Sequence, residues 1–171
     1  MAAMTPQELH DFVLSNSENI SSSIVTSYVD RDFPCFEVKK ESILEVMKHF
    51  KESTELSFGF LTTCCAMHFP EQGDKEFGMV YHLHNMQANT RIRVKTFFPK
   101  SDLKISSLVS LWPSANWMER QEFDFFGVQF QGHPDLRRIL NMDEMNYFPM
   151  RKEYPLEDAG RDDKQDKYFG R

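Results

Sequence analysis

The chain is poor in the residues that would let it carry chemistry alone. Its 171 residues include 7 glycines and 3 cysteines. No two glycines stand as Gly-x-Gly, which removes the dinucleotide-binding fingerprint and the phosphate-cradling loop. Cys35, Cys64 and Cys65 are too few for a four-thiolate iron–sulfur cluster, and an odd count without a signal peptide points to a reducing compartment. The start, MAAMTPQELHDF, has no positive region followed by an apolar run. No segment approaches the roughly 20 apolar residues that span a bilayer, so a soluble protein, or one held at a membrane through partners, is expected. Basic residues are in the minority, 20 Lys and Arg against 26 Asp and Glu. Without a basic stripe, nucleic acid is not an expected partner.

What is present suits one compact domain with an appendage. Hydrophobic residues make up 40% and charged residues 27%, a globular balance. Thr5-Pro6 with Glu8 three residues on predicts a capped helix over 6–15. SSIVTSYV, 22–29, reads as a strand, and Ile43, Leu44, Met47 and Phe50 fall at helical spacing within 40–50. Three strand-like runs follow, 56–65, 77–83 and 91–98, joined by the polar turns PEQGDKE and HNMQAN. Short connections favour antiparallel neighbours. The expected fold is therefore α+β, a mixed or antiparallel sheet packed by helices over residues 1–140, with an extended tail over 141–171. From Pro113 a further helix is expected, with Asn116 as cap, Glu119 completing the reciprocal cap and Gly127 ending it. The tail has prolines at 149 and 155 and no sustained period, so it is expected to be disordered or laid along another protein.

Candidate sites divide into chemistry and packing. Cys64, Cys65 and His68 invite a metal, but neighbouring strand residues face opposite sides, so a buried thiol is the simpler reading. His82 and His84 share a strand face without a partner of fixed spacing. Glu119 and Glu122 stand one helical turn apart and, with His133, could hold a cation in a stand-alone metal-dependent enzyme. Against this, Trp117, Phe123, Phe125 and Phe126 surround the helix, so its charges are expected to be neutralised at a joint. Arg120 is expected to pair with Asp124 four residues on, and Arg137 or Arg138 to reach a carboxylate through both guanidinium nitrogens. An adaptor whose tail binds an unrelated partner is the third reading.

The order WPSANWMERQEFDFFGVQFQGHPDLRRIL followed by FPMRKEYPLED resembles the thirty-kilodalton subunit family of the proton-translocating NADH:quinone oxidoreductase, respiratory complex I. The match is dense from Trp112 to Asp158; YHL at 81–83 and RIRVKTFF at 91–98 fit more loosely. Glu119, Arg120, Asp124, Gly127, Phe130, Gly132, His133, Pro134, Arg138, Arg151 and Lys152 fall on signature positions, with Arg137 beside them. The resemblance implies a peripheral-arm subunit without catalytic, cofactor-binding or metal residues of its own, these side chains being structural or at interfaces with neighbours. FMN and iron–sulfur clusters would sit in partner subunits. The implied neighbours are the subunit that forms the quinone site, the one that carries the terminal cluster and the ferredoxin-like one, with the tail running over the first of these. The implied location is the cytoplasmic side of a bacterial inner membrane, reached only through the complex. Gln121 stands where the signature has a second glutamate, Met150 and Glu153 replace Leu and Asp, and His68 replaces an Asp. Similar modules occur in membrane-bound hydrogenases and in ferredoxin:quinone complexes, so the electron donor is the one of the commonest member.

Overall fold

A computed structural model describes residues 4–154. Helix α1 (Pro6–Ser15) starts as its sequence predicts. The Thr5 hydroxyl accepts from the Glu8 amide, and the Glu8 carboxylate accepts from the Thr5 amide at 2.8 Å. Strands β1 (Ile24–Asp30) and β2 (Phe33–Val38) form a hairpin, helix α2 (Ile43–Glu52) follows, and β3 (Phe60–His68), β4 (Phe77–Asn85) and β5 (Thr90–Phe98) make the expected antiparallel meander. Residues 22 and 23, expected in the first strand, belong to a short 3-10 turn instead.

The five strands lie in the order β1-β2-β5-β4-β3. β2, not expected from the sequence, runs parallel to β5, which makes the sheet mixed. Register puts Cys64, Tyr81, Val94 and Phe36 in one row across β3, β4, β5 and β2, all buried. This face meets the helices, because strand side chains alternate and the next row, Cys65, Val80, Lys95 and Glu37, lies on the other side. Phe36, Phe50 and Phe58 pack through the middle of the core, the first pair tilted and the second edge to face. β3 is an edge strand, so half of its backbone donors have no strand neighbour. A small parallel pair, β6 (Lys104–Ser106) and β7 (Gln129–Gln131), brackets helix α3 (Ala115–Phe126) and sets it against β3.

Candidate functional site

Helix α3 is where the charged-aromatic stretch folds, and its two sides use charge differently. Its N-terminus corrects one expectation: the helix begins at Ala115 behind Ser114, with no side-chain cap. Asn116 lies inside the first turn. Glu119 does not return to the cap, because the sheet-facing side offers it better donors. The Ser107 hydroxyl donates to Glu119 Oε2 at 2.6 Å and the Leu108 amide to Oε1 at 2.7 Å. One turn on, Glu122 Oε2 accepts from the Ala66 amide at 2.8 Å, supplying an acceptor to the open edge of β3. Burial pushes the Glu119 carboxyl up to about 7 although Ser107 and Leu108 pull it down. Burial does the same to Glu122, also to about 7, against the amides of Ala66 and Gln121. An uncharged carboxyl is the form a buried site without a cation favours.

The other side of α3 is covered by its own chain. Residues 134–154, a strap without regular secondary structure, fold back over the helix. Asp124 is the anchor: Oδ2 accepts from the amides of Ile139, Leu140 and Asn141 at 3.0, 2.8 and 3.1 Å. Oδ1 accepts from Arg138 at 3.1 Å and from the Asn141 side chain at 3.0 Å. Burial alone would raise this carboxyl, but the donors of Leu140, Asn141 and Ile139 outweigh it and hold it well below the usual carboxylate range. The Arg138 guanidinium also donates to the Met145 carbonyl at 2.8 Å and lies over the Phe148 ring.

Arg120 does not pair with Asp124, despite the four-residue spacing. It stacks on Trp117 and donates to the carbonyls of Arg137 and Arg138 at 3.1 and 3.2 Å. Acceptors from the strap replace the local helix pair. Arg137 holds Asp135 through both Nε and Nη2 at 2.7 Å. His133 Nδ1 accepts from the Asp135 amide, which leaves Nε2–H to donate to the Asn116 carbonyl at 3.1 Å.

The end of the strap is tied to the sheet. Gly127 closes α3 with φ +78°, and a Cβ there would lie 2.6 Å from Phe148 and from Arg151. Arg151 donates to the Phe126 carbonyl at 2.7 Å and stacks on Phe148 and Phe77. The Lys152 amide donates to His68 Nδ1 at 3.0 Å, and His68 Nε2 reaches Glu76 at 3.1 Å. His68 is thus a buried peg between strap and sheet. Sequence reading missed Asn141 and Phe148 as strap anchors, since neither belongs to a charge pattern. It did flag His68.

Glu119, Glu122 and His133 are not brought together. The two carboxyls point to different backbone donors on the sheet side, while His133 sits at the first turn of α3. Among the described residues no group of three His, Cys, Asp or Glu is placed to hold a metal ion. Of the thiols, Cys35 and Cys64 are buried and Cys65 is exposed on the opposite face from Cys64. Among the described residues no helix is long and apolar enough to cross a membrane.

Between the exposed charges of the strap, among them Asp135, Arg137, Asp143 and Glu144, helix and strap also hold large apolar side chains out to solvent. Trp117 is 63% exposed, Leu140 74%, Met142 69% and Met150 53%, with Ile139, Tyr147 and Tyr154 beside them. Residues 155–171, the rest of the expected tail, lie outside the described residues.

A family model described as the respiratory-chain NADH dehydrogenase 30 kDa subunit matches residues 36–160. An NADH-quinone oxidoreductase subunit of Citrifermentans bemidjiense is 43% identical over 125 residues, 73% of this chain and 76% of that one. The protein of the same description from Geobacter metallireducens is 34% identical over 155 residues, covering 91% and 94%. That of Streptomyces coelicolor is 36% identical, and the match spans 54% of its length. Among solved structures, the trypsin-resistant fragment of Nqo5 aligns with a TM-score of 0.62 at 26% identity, covering 74% of this chain and 98% of that one. A chain of the membrane-bound sulfane sulfur reductase, an archaeal respiratory membrane complex, aligns with a TM-score of 0.72 at 27% identity over 85% of each.

Proposed function

The chain belongs to the family of the respiratory-chain NADH dehydrogenase 30 kDa subunit, and on that premise we propose that it is a peripheral-arm subunit of a proton-translocating NADH:quinone oxidoreductase. It docks through α3 and the strap and supports assembly near the quinone site and the terminal cluster. The observation that carries this is the division of labour on α3. Arg120, Asp124, Arg138 and Arg151 are engaged within the chain, and they hold Trp117, Leu140, Met142 and Met150 out to solvent. Interface cores are depleted in charge and enriched in aromatic residues and methionine. Large apolar side chains exposed together on a segment anchored to its own helix mark a partner site.

In this reading other subunits hold the FMN and the iron–sulfur clusters, and electrons pass through them from NADH to quinone. This chain contributes no cofactor ligand and no catalytic residue. The separation of its three thiols supports that, since Cys64 and Cys65 cannot bind one metal from opposite sheet faces. Its neighbours are the quinone-site, terminal-cluster and ferredoxin-like subunits, with residues 155–171 continuing over the quinone-site one. It is peripheral, on the cytoplasmic side of a bacterial inner membrane, and touches the membrane only through the complex. The likeness to the sulfane sulfur reductase chain favours one second reading, a related respiratory complex with another electron donor. Recovery with an NADH-oxidising flavoprotein separates the two.

Trp117→Ser combined with Leu140→Ser tests the docking face. Both side chains are exposed, so the unfolding free energy of the isolated chain should change by less than about 1 kcal/mol. Incorporation into the complex should fall at least about tenfold, as for truncated hot-spot anchors. Unchanged incorporation in a native-gel and quinone-reductase assay would place the interface elsewhere.

A further inference from the structure

The interface between α3 and the sheet buries two acids, and among the described residues no cation meets them. Glu119 is fully buried and Glu122 is 3% exposed. The groups that face them are Cys64 from β3, Tyr81 from β4 and Ser107 from the turn after β6, together with the Ala66 and Leu108 amides and Gln121 on α3 itself. Among the described residues none of these carries positive charge. Cations of the surrounding elements are engaged elsewhere: Arg120 on strap carbonyls, Arg138 on Asp124, and Lys51 of α2 on the Leu111 carbonyl and the Trp112 ring. Cys64 and Tyr81 pair across the two strands directly beneath the helix. The Tyr81 hydroxyl is buried without a hydrogen-bond partner among the described residues, and the charges of Glu119 and Glu122 act on it. An unpaired carboxylate in such surroundings is costly, and a proton removes the charge.

We propose that Glu119 and Glu122 form a buried proton-binding site that couples the seating of α3 on the sheet to pH. With a proton on each, the carboxyls keep the Leu108 and Ala66 amides as donors, and the 2.6 Å separation of Glu119 and Ser107 suits a hydroxyl-to-carboxyl bond in either direction. On losing the protons, the pair places two negative charges one turn apart beside the Tyr81 ring. The helix that carries the docking face is then held less firmly. That last consequence rests on the docking reading; the site itself does not.

The sign follows from the raised carboxyls. In the unfolded chain they titrate near 4.5, in the folded chain near 7. Their stabilising contribution is therefore complete below about pH 4.5 and is lost as pH rises through about 7, about 300-fold in the folding equilibrium per carboxyl. The test uses the isolated full chain. Carboxyl-carbon NMR of glutamate should show two side chains titrating near neutrality, apart from the others. Denaturant unfolding between about pH 5 and pH 8 should show the falling stability, and Glu119→Gln and Glu122→Gln, neutral at every pH, should each remove part of that slope. If every glutamate titrates in the ordinary range, or the glutamine variants keep the full slope, the proposal is wrong. Should a variant fail to fold, the titration of the native chain still decides. No partner is involved, so failure here leaves the docking reading untouched, and failure of docking leaves this one.

Discussion

Asp124→Ala is expected to detach the strap from α3 and to cost about 3–5 kcal/mol of stability, the range found when one member of a buried ion pair is removed. Both members are buried, with side chains 1% and 9% exposed for Asp124 and Arg138. The alanine removes the acceptor of three consecutive amides as well as the counter-charge of Arg138. Each stranded donor adds its own desolvation penalty. Arg138→Ala should be milder, because Asp124 keeps its amide donors, yet it loses the link to Met145 and the stacking on Phe148. Limited proteolysis within 139–150 reports strap release, and thermal unfolding reports the loss of stability. In the native host both variants should lower assembly, and quinone reduction should fall in proportion. Normal assembly with abolished electron transfer would instead give these residues a direct chemical part. Acid should mimic the substitution. Since the folded-state carboxyl titrates below its ordinary value, its contribution is present above about pH 4 and is lost as pH falls through the depressed value. This is opposite in sense to Glu119 and Glu122.

Gly127→Ala is the second large effect, and it arises from backbone and space together. At φ +78° an alanine costs about 1–2 kcal/mol from the left-handed conformation alone. Its Cβ would also stand 2.6 Å from the Phe148 ring and from the Arg151 guanidinium. Overpacking of this kind adds about 1–3 kcal/mol. Phe148 and Arg151 would move apart from the helix end, taking with them the Arg151 bond to the Phe126 carbonyl. The outcome should be a chain with an intact sheet, seen by far-ultraviolet circular dichroism, and a strap that cleaves readily at 145–154. An unchanged cleavage pattern would mean that the end of α3 does not fix the strap. Gly132, also at positive φ, has open space around its Cβ position, so Gly132→Ala isolates the backbone part of the effect.

The parts of this architecture legible in the sequence are those governed by local rules. The Thr5–Glu8 cap, the meander from β3 to β5 and the stop at Gly127 each follow from neighbours in the chain. Strand β2 escaped because Pro34 argues against a strand interior and its partner β5 lies more than fifty residues away. β6 and β7, three residues each, are too short to show a period. On α3 the local rules were overruled. Glu119 fits a capping pattern but finds Ser107 and Leu108, and Arg120 fits a helix pair with Asp124 but finds two strap carbonyls. Each group takes the donors or acceptors that burial leaves without water, and only the folded chain fixes which those are. The charged-aromatic stretch was therefore recognisable as one unit before its internal wiring was.

The pattern that results assigns the charges of α3 to holding the chain on itself and its apolar tips to holding a partner. The most direct test is recovery of the full chain, tagged, from gently solubilised membranes of its native host, followed by native mass spectrometry. Docking predicts stoichiometric recovery with the iron–sulfur and quinone-site subunits, lost in the Trp117→Ser, Leu140→Ser variant. Recovery of the native chain alone, free of any iron–sulfur or membrane subunit, would contradict it.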